Sequence, residues 1–329
     1  MILLLGATGY IGQAFANALR QREQCFIPLC EDAFDYTRFE YLFDYLRKIR
    51  PEFVINATDY ADVPNIRSEL DRLEMLQANT LLPQIVSRAC GMTNTAWGQI
   101  SSGSIYSGAK LLENERLRVE KDLTRHELRE LFDTQPESFV GFSELDEPNC
   151  SFRFAPCSFY SGTKALAEES IRNQSQNYIW RVRLPFNGQD EPGNFLSQLQ
   201  DSSNIGSGFN SLSHLDECVA ACLELWERQA PFGIYNVTNP GAVSTEKVIG
   251  MVQRILKPAR LPEVCVDGRN AFGSPPRWPE PNCILDTTKL HRTGIKLRPV
   301  HEALEKALEK WQTRSSAAKQ NYLPVLDHR

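Results

Sequence analysis

The chain begins with MILLLGATGYIG, residues 1–12, and this stretch decides the fold. Its first five residues are an apolar run of strand length, after which Gly6, Gly9 and Gly12 fall at every third position. Apolar side chains then recur at helical spacing through about Arg22. Glycine lets the backbone turn sharply and lets a dinucleotide pyrophosphate approach the next helix, whose first N–H groups and dipole attract the anion. The stretch therefore predicts the strand, turn and helix of a dinucleotide-binding unit.

Short apolar strands alternate with amphipathic helices downstream of this turn. Strands are predicted at 25–29, 53–55, 96–100, 178–184 and 234–237, and helices at 39–49, 70–90 and 215–227. This alternation indicates an α/β fold of the Rossmann type, a doubly wound parallel sheet with right-handed crossovers. Ligands of such a sheet gather at the carboxyl ends of the strands, where Gly6, Ala57 and Ser102 fall.

The order of these segments predicts two domains. A dinucleotide-binding domain is predicted for residues 1–184 with 211–238, and a smaller C-terminal substrate-binding lobe for 185–210 with 239–314. Residues 315–329 are predicted to form a tail. Charged residues crowd into 108–138, which we interpret as an inserted surface helix or flap.

Composition excludes several classes of function. The 329 residues are 42% hydrophobic, which is ordinary for a globular chain, and the net charge of −5 with no sustained basic run gives no support for nucleic-acid binding. The nine cysteines lack the paired spacing of a zinc site, so we interpret them as reduced thiols. No apolar run approaches the length of a membrane span or of a signal-peptide core. We expect a soluble, cytoplasmic protein with no metal, nucleic-acid or membrane partner.

Tyr160 and Lys164 carry the second chemical signal. They lie four residues apart on a predicted helix, so the ammonium lies near the phenol and stabilises the phenolate. A phenol with an ordinary pKa of about 10 then exchanges protons near neutrality. Taken alone, such a pair is more typical of a solvated helix surface. Combined with the glycine turn of residues 6–12, it indicates hydride chemistry.

Several motifs together resemble the extended short-chain dehydrogenases/reductases, over about residues 1–312. Within that family the resemblance is to the reductases of nucleotide-linked 4-keto-6-deoxysugars, including the plant-type epimerase/reductases. The motifs are Gly6 to Gly12, 54–57 (VINA), 78–79 (AN), 101–106 (SSGSIY), 159–164 (FYSGTK), 181–185 (RVRLP), 193–195 (GNF), 236–241 (NVTNPG) and 285–290 (LDTTKL).

The resemblance implies roles for three catalytic residues. Ser102 would hydrogen-bond the sugar carbonyl, Tyr160 would protonate the new alkoxide, and Lys164 would lower the tyrosine pKa and hold the nicotinamide ribose. Hydride would pass from the nicotinamide of NADH or NADPH to C4 of the sugar. The resemblance also implies a nucleotide-sugar substrate and a homodimer.

Other residues are predicted to bind the cofactor. Glu31 and Asp32 lie about 20 residues past the third glycine, where an acid bonds the ribose hydroxyls of NAD. Arg38 is the basic residue within reach of a 2′-phosphate, so NAD is favoured and NADP stays open. The predicted cofactor-binding residues are Gly6, Thr8, Gly9, Tyr10, Ile11, Gly12, Glu31, Asp35, Ala57, Thr58, Asn79 and Pro185.

The predicted substrate-binding residues are Ser104, Asn194 and Arg277. Arg277 would bind the substrate diphosphate through its bidentate guanidinium. The bifunctional relatives place a Cys and a Lys where this chain has Ser104 and Gln198, and neither of these side chains titrates near neutrality. Gly103 stands where the bacterial reductases have Asp. Ketone reduction is therefore expected without epimerisation.

Two alternative functions stay open. One is an epimerase or dehydratase of a nucleotide sugar that keeps NAD tightly bound, and the other is a dinucleotide-binding protein without catalysis. The presence of Ser102, Tyr160 and Lys164 together argues against the second, because a binder needs no proton donor.

Overall fold

The computed structural model describes residues 1–60, 68–265 and 281–321, with side chains described through residue 313. The strands are β1 Ile2–Leu5, β2 Phe26–Leu29, β3 Phe53–Asn56, β4 Ala96–Ser102, β5 Ala109–Glu113, β6 Arg116–Glu120, β7 Phe139–Val140, β8 Asn177–Val182, β9 Pro185–Phe186, β10 Asn204–Gly206, β11 Phe209–Asn210, β12 Ser213–His214, β13 Gly233–Asn236, β14 Val243–Ser244 and β15 Glu263–Cys265. The helices are α1 Tyr10–Gln21, α2 Phe39–Ile49, α3 Glu69–Leu76, α4 Leu82–Thr93, α5 His126–Thr134, α6 Phe159–Ile171, α7 Phe195–Asp201, α8 Leu215–Glu227, α9 Thr245–Ile255, α10 Thr288–Arg292 and α11 Val300–Asn321.

Six parallel strands form the central sheet, in the order β13-β8-β4-β3-β1-β2. The chain passes from β1 outward to β2 and then returns to the other side of β1 for β3. The order reverses between β1 and β3, and such a switch point is where open α/β sheets bind ligands. The predicted Rossmann-type parallel sheet is confirmed.

Both faces of this sheet are buried. Ile2 and Leu4 pack into one hydrophobic cluster, whereas Leu3 and Leu5 pack into another. Successive side chains of a strand point to opposite faces, so each cluster fills one side of the sheet. Burial on both sides explains why β1 and residues 53–55 of β3 are continuously apolar rather than alternating.

A separate hydrophobic core forms from segments beyond the sheet. It contains Phe186 after β8, Leu199 of α7, Val252 of α9, and Leu304 and Leu308 of α11. Its side chains come from segments before and after α8 and β13, which themselves belong to the central sheet and its cluster.

The charged stretch 108–138 forms more than the predicted helix or flap. Strand β5 pairs antiparallel with β6 and with β7, and α5 follows the hairpin. Leu111 and Leu128 are buried in a cluster with Phe209, which attaches the stretch to the rest of the molecule.

Two helix boundaries differ from the sequence prediction. The helix predicted at 70–90 is α3 and α4 with a π-helical turn, Gln77–Leu81, between them. Pro83 in the first turn of α4 lacks the N–H of a regular helical bond, and the wider turn accommodates this loss. Helix α11 continues through Asn321, so residues 315–321 are helical where a tail was predicted. Within the described ranges, no helix is long and apolar enough to span a bilayer.

Candidate active site

The glycine turn between β1 and α1 is built as its sequence requires. Gly6 has φ +74°, in the left-handed region, and a Cβ there would lie 2.8 Å from Thr58 Cγ2. A Cβ on Gly12 would lie 1.9 Å from the Gly6 carbonyl oxygen. Gly9 occupies the N-cap of α1 and supplies no side chain to bond the first N–H groups of the helix. That helix end therefore presents backbone donors suited to an anion.

A cavity of about 440 Å³ opens beside this turn, at the carboxyl ends of the central strands. Gly193, Phe195 and Gln198 also line it. The predicted site residues that line the cavity are Gly6, Thr8, Gly9, Tyr10, Ile11, Glu31, Ala57, Thr58, Ser102, Tyr160 and Pro185. The glycine turn and two of the predicted catalytic hydroxyls thus share one cavity.

Tyr160 and Lys164 lie on one face of α6. The helix begins at Phe159 because the Ser158 hydroxyl accepts a hydrogen bond from the Ser161 N–H at 3.0 Å. Lys164 Nζ lies 5.7 Å from the centroid of the Tyr160 ring. Lys164 is buried at the side of the cavity, whereas Tyr160 forms part of its wall. The helical spacing read from the sequence has brought ammonium and phenol together.

Ser102 is the last residue of β4, and Ser104 lies behind it. The two hydroxyl oxygens are 2.7 Å apart, and the Ser104 N–H also donates to Ser102 Oγ at 3.2 Å. Ser104 is fully buried, so its hydroxyl supports Ser102 rather than lining the cavity.

Asp59, which sequence analysis missed, completes this cluster. Its Oδ1 lies 2.9 Å from Lys164 Nζ, and its Oδ2 accepts a hydrogen bond from the Tyr160 hydroxyl at 3.3 Å. Asp59 follows β3 by a few residues. An acidic residue within a few positions of the end of a strand in a parallel sheet was the signal that could have identified it.

Four other predicted residues do not line the cavity. Asp35 Oδ1 accepts from the Thr37 N–H and closes a local turn, and Asn79 bonds both backbone groups of Tyr60. Asn194 is buried at the N-cap of α7, with its amide bonded to nearby backbone. Gly12 lies beneath the turn. Arg277 lies outside the described residues.

Two phenols in the cavity wall, those of Tyr36 and Tyr10, have raised pKa values. Burial, followed by the negative charge of Glu31, raises the pKa of Tyr36 to about 12. Burial, followed by Glu191, raises the pKa of Tyr10 well above its ordinary value. Tyr10 Oη is also buried without a hydrogen-bond partner in the described part of the chain. Such a donor fits a ligand oxygen.

The charges around the cavity are mixed. Glu31 and Asp32 follow β2, and the Arg183 guanidinium, which donates to Pro281 O at 2.7 Å, follows β8. Across residues 1–60, 68–265 and 281–321, no group of three or more His, Cys, Asp or Glu side chains is placed to hold a metal ion.

Comparison with known proteins gives the family. Residues 1–313 match the family described as the RmlD substrate binding domain. This chain belongs to that family. The resemblance inferred from the motifs is thereby confirmed.

Two plant proteins are similar to this RmlD-family chain. A trifunctional UDP-glucose 4,6-dehydratase/UDP-4-keto-6-deoxy-D-glucose 3,5-epimerase/UDP-4-keto-L-rhamnose-reductase of Arabidopsis thaliana is 28% identical over 216 residues, covering 65% of this chain and 28% of that protein. The chain thus spans less than a third of the trifunctional relative. A bifunctional dTDP-4-dehydrorhamnose 3,5-epimerase/dTDP-4-dehydrorhamnose reductase of the same plant is 27% identical over 264 residues, or 79% of this chain and 77% of that protein.

The fold of the RmlD-family chain is also that of a solved reductase. The crystal structure of dTDP-4-dehydrorhamnose reductase from Bacillus anthracis, in complex with NADP, superposes with a TM-score of 0.71 at 17% identity. The match covers 95% of this chain and 98% of the other. At this identity the likeness establishes the shared fold.

Proposed function

We propose that this chain reduces the C4 ketone of a nucleotide-activated 4-keto-6-deoxysugar of the rhamnose type, with NADH or NADPH as the reductant. One observation carries the proposal: Ser102 and Tyr160 lie on the wall of the cavity that contains the glycine turn, and Lys164 is buried beside Tyr160. Membership of the RmlD family and the names of the plant relatives support the class of sugar.

The chain's residues fit a dinucleotide. The turn at Gly6 and Gly9 and the first N–H groups of α1 would bind the pyrophosphate, since the turn excludes side chains and presents donors. Glu31 would accept from the adenosine ribose, and Lys164 would bind the nicotinamide ribose. The bound nicotinamide would supply the hydride that reaches C4 of the sugar.

The protein's part in the reaction is to orient the ketone and deliver one proton. Ser102 Oγ would donate a hydrogen bond to the carbonyl oxygen. As C4 gains the hydride, the C=O π bond breaks and that oxygen takes the proton of the Tyr160 hydroxyl, leaving a phenolate beside the Lys164 ammonium. Orientation and stabilisation of the oxyanion each contribute several kcal/mol to such reactions.

The same cavity offers no groups suited to epimerisation at the positions that the resemblance indicated. The Ser104 hydroxyl is buried against Ser102, and the Gln198 amide donates to Pro192 O at 2.7 Å. Neither a hydroxyl nor an amide exchanges protons with carbon near neutral pH. The ketone would therefore reach this site already epimerised by a separate protein.

Oxidation of NADH and NADPH tests the proposal, with dTDP- and UDP-linked 4-keto-6-deoxyglucose supplied with and without a separate 3,5-epimerase. We expect turnover that depends on the added epimerase. Tyr160→Phe should lower kcat by about 10²- to 10⁴-fold. Tyr41→Phe removes a phenol that is 47% exposed on α2, and this control should retain activity. Full activity of Tyr160→Phe would exclude the mechanism.

Two further outcomes separate the alternatives. Purification with tightly held NAD and no net oxidation of added cofactor would indicate an internal redox cycle, as in an epimerase or dehydratase. Calorimetric binding of the dinucleotide without turnover of any keto-sugar would indicate a non-catalytic binder.

A further inference from the structure

A carboxylate lies inside the catalytic cluster, and the reduction described above does not use it. Asp59 places one oxygen 2.9 Å from Lys164 Nζ and the other 3.3 Å from the Tyr160 hydroxyl. The Lys164 side chain is 2% exposed and that of Asp59 is 21% exposed. One acidic side chain thus lies within ion-pair distance of Lys164 and accepts a hydrogen bond from Tyr160.

The backbone on either side of Asp59 is anchored. Asn56 Oδ1 accepts from the Thr58 hydroxyl at 2.7 Å and from its N–H at 3.3 Å. On the other side, Asn79 accepts from the Tyr60 N–H at 3.0 Å and donates to the Tyr60 carbonyl at 3.1 Å. The carboxylate is therefore held at the pair by residues before and after it.

The Lys164 ammonium needs such a partner. A buried ammonium is costly unless a counter-charge compensates for the lost water. Glu168, one helical turn further along α6, is occupied by Arg181 at 2.7 Å. Asp59 therefore supplies the opposing charge for Lys164.

We propose that Asp59 is a positioning residue for Tyr160 and Lys164, and that its charge biases the site toward proton donation. A carboxylate beside a phenol opposes loss of the phenolic proton, and it offsets the attraction of the nearby ammonium for a phenolate. Reduction of a ketone consumes the protonated phenol, whereas oxidation of an alcohol requires the phenolate. Asp59 thus keeps Tyr160 in the form that reduction uses. The inference that Asp59 favours reduction rests on the proposed function, whereas its effect on the protonation of Tyr160 does not.

The other ionisable side chains around the cavity come from α1 and from the chain after β2, β3 and β8. They are Tyr10, Cys30, Glu31, Asp32, Tyr36, Tyr60 and Arg183. All seven remain in an Asp59 variant, so a difference between variant and wild type reports the Asp59 charge.

Titration of Tyr160 tests the proposal without any sugar. The near-ultraviolet absorbance of phenolate would be followed against pH in the wild type and in Asp59→Asn, each corrected by the same protein carrying Tyr160→Phe. We expect Asp59→Asn to move the midpoint of Tyr160 ionisation to lower pH by about 1 unit. Asp59→Ala should move it in the same direction, and Asp44→Asn, on the exposed face of α2, should not move it.

A midpoint that stays in place or moves to higher pH in both Asp59 variants would overturn the proposal. So would failure of both variants to fold in a thermal melt, because Asp59 would then serve stability alone. If the midpoint of Tyr160 ionisation shifts but no keto-sugar is turned over, the role of Asp59 is supported and the proposed function is rejected. If turnover is found, the basic limb of kcat/KM for reduction should move to lower pH with the titration.

Discussion

Glu168 and Arg181 form a bidentate ion pair inside the protein, where α6 packs against β8. Arg181 Nε lies 3.0 Å from Oε1 of Glu168 and Nη2 lies 2.7 Å from Oε2. Arg181 is the register partner of Ser101, whose hydroxyl donates to the same carboxylate at 2.5 Å. Since α6 carries Tyr160 and β4 ends at Ser102, this pair holds the helix of the proposed proton donor against the strand that ends at Ser102.

Replacing Glu168 should therefore destabilise the protein strongly. Glu168→Gln leaves the Arg181 guanidinium buried without its counter-charge, and such changes cost about 3–5 kcal/mol. The free energy of unfolding, measured with denaturant, checks this. Glu224→Gln removes a partly exposed pair with Arg228 and should cost at most about 1 kcal/mol. Equal effects of the two substitutions would contradict the assigned role.

Gly12→Ala should prevent cofactor binding. The new methyl group would overlap the Gly6 carbonyl oxygen, so the turn must open and the backbone donors of α1 lose their alignment. Calorimetry with NADH and NADPH measures the loss, which should exceed about tenfold, or about 1.4 kcal/mol. Gly91→Ala, on α4 with open space around the new methyl group, should bind cofactor normally and gain up to about 1 kcal/mol of stability. Normal binding by Gly12→Ala would show that the dinucleotide lies elsewhere.

Glu31→Gln should shift the choice of cofactor toward NADPH. Glu31 lines the cavity after β2, and its negative charge would repel a 2′-phosphate while accepting from the 2′-hydroxyl of NADH. We expect the ratio of kcat/KM for NADPH to that for NADH to rise by about tenfold, equivalent to about 1.4 kcal/mol. An unchanged ratio would place the adenosine ribose away from Glu31.

His214 should make the fold sensitive to mild acid. Burial lowers the pKa of its imidazole below the ordinary value of 6.5, so the folded state favours the neutral ring. The stability contributed by keeping this ring neutral is fully present above the pKa of the unfolded state. It is lost as the pH falls through the lower pKa of the folded state. The free energy of unfolding should fall in the wild type as the pH drops below about 6.5. His214→Gln should show a shallower fall, and identical slopes would contradict the prediction. Burial of His301 acts in the same direction and remains in both proteins.

Local patterns in the sequence predicted much of the fold. The helices predicted at 39–49 and 215–227 have those bounds in the structure, because helical periodicity reports one buried face within a few turns. The β5–β6 hairpin was not predicted, since its strands are charged and their pairing is set by contacts with β7 and the cluster around Phe209.

The sequence likewise predicted only part of the candidate site. Gly6, Gly9, Ser102 and Tyr160 were predicted, and all four line one cavity. Asn79 and Asn194 were chosen as polar residues in motifs, but their amides satisfy nearby backbone groups, which spacing alone does not reveal.

The sequence by itself determined the glycine turn and the alignment of Tyr160 with Lys164, because both depend on backbone geometry and helical repeat within a dozen residues. Only the tertiary structure decided that Asp59 joins them. Asp59 and Tyr160 are 101 residues apart, and they meet because parallel pairing within the sheet and packing of α6 bring the end of β3 to that helix. A contact of that kind depends on the whole sheet, which no local pattern encodes.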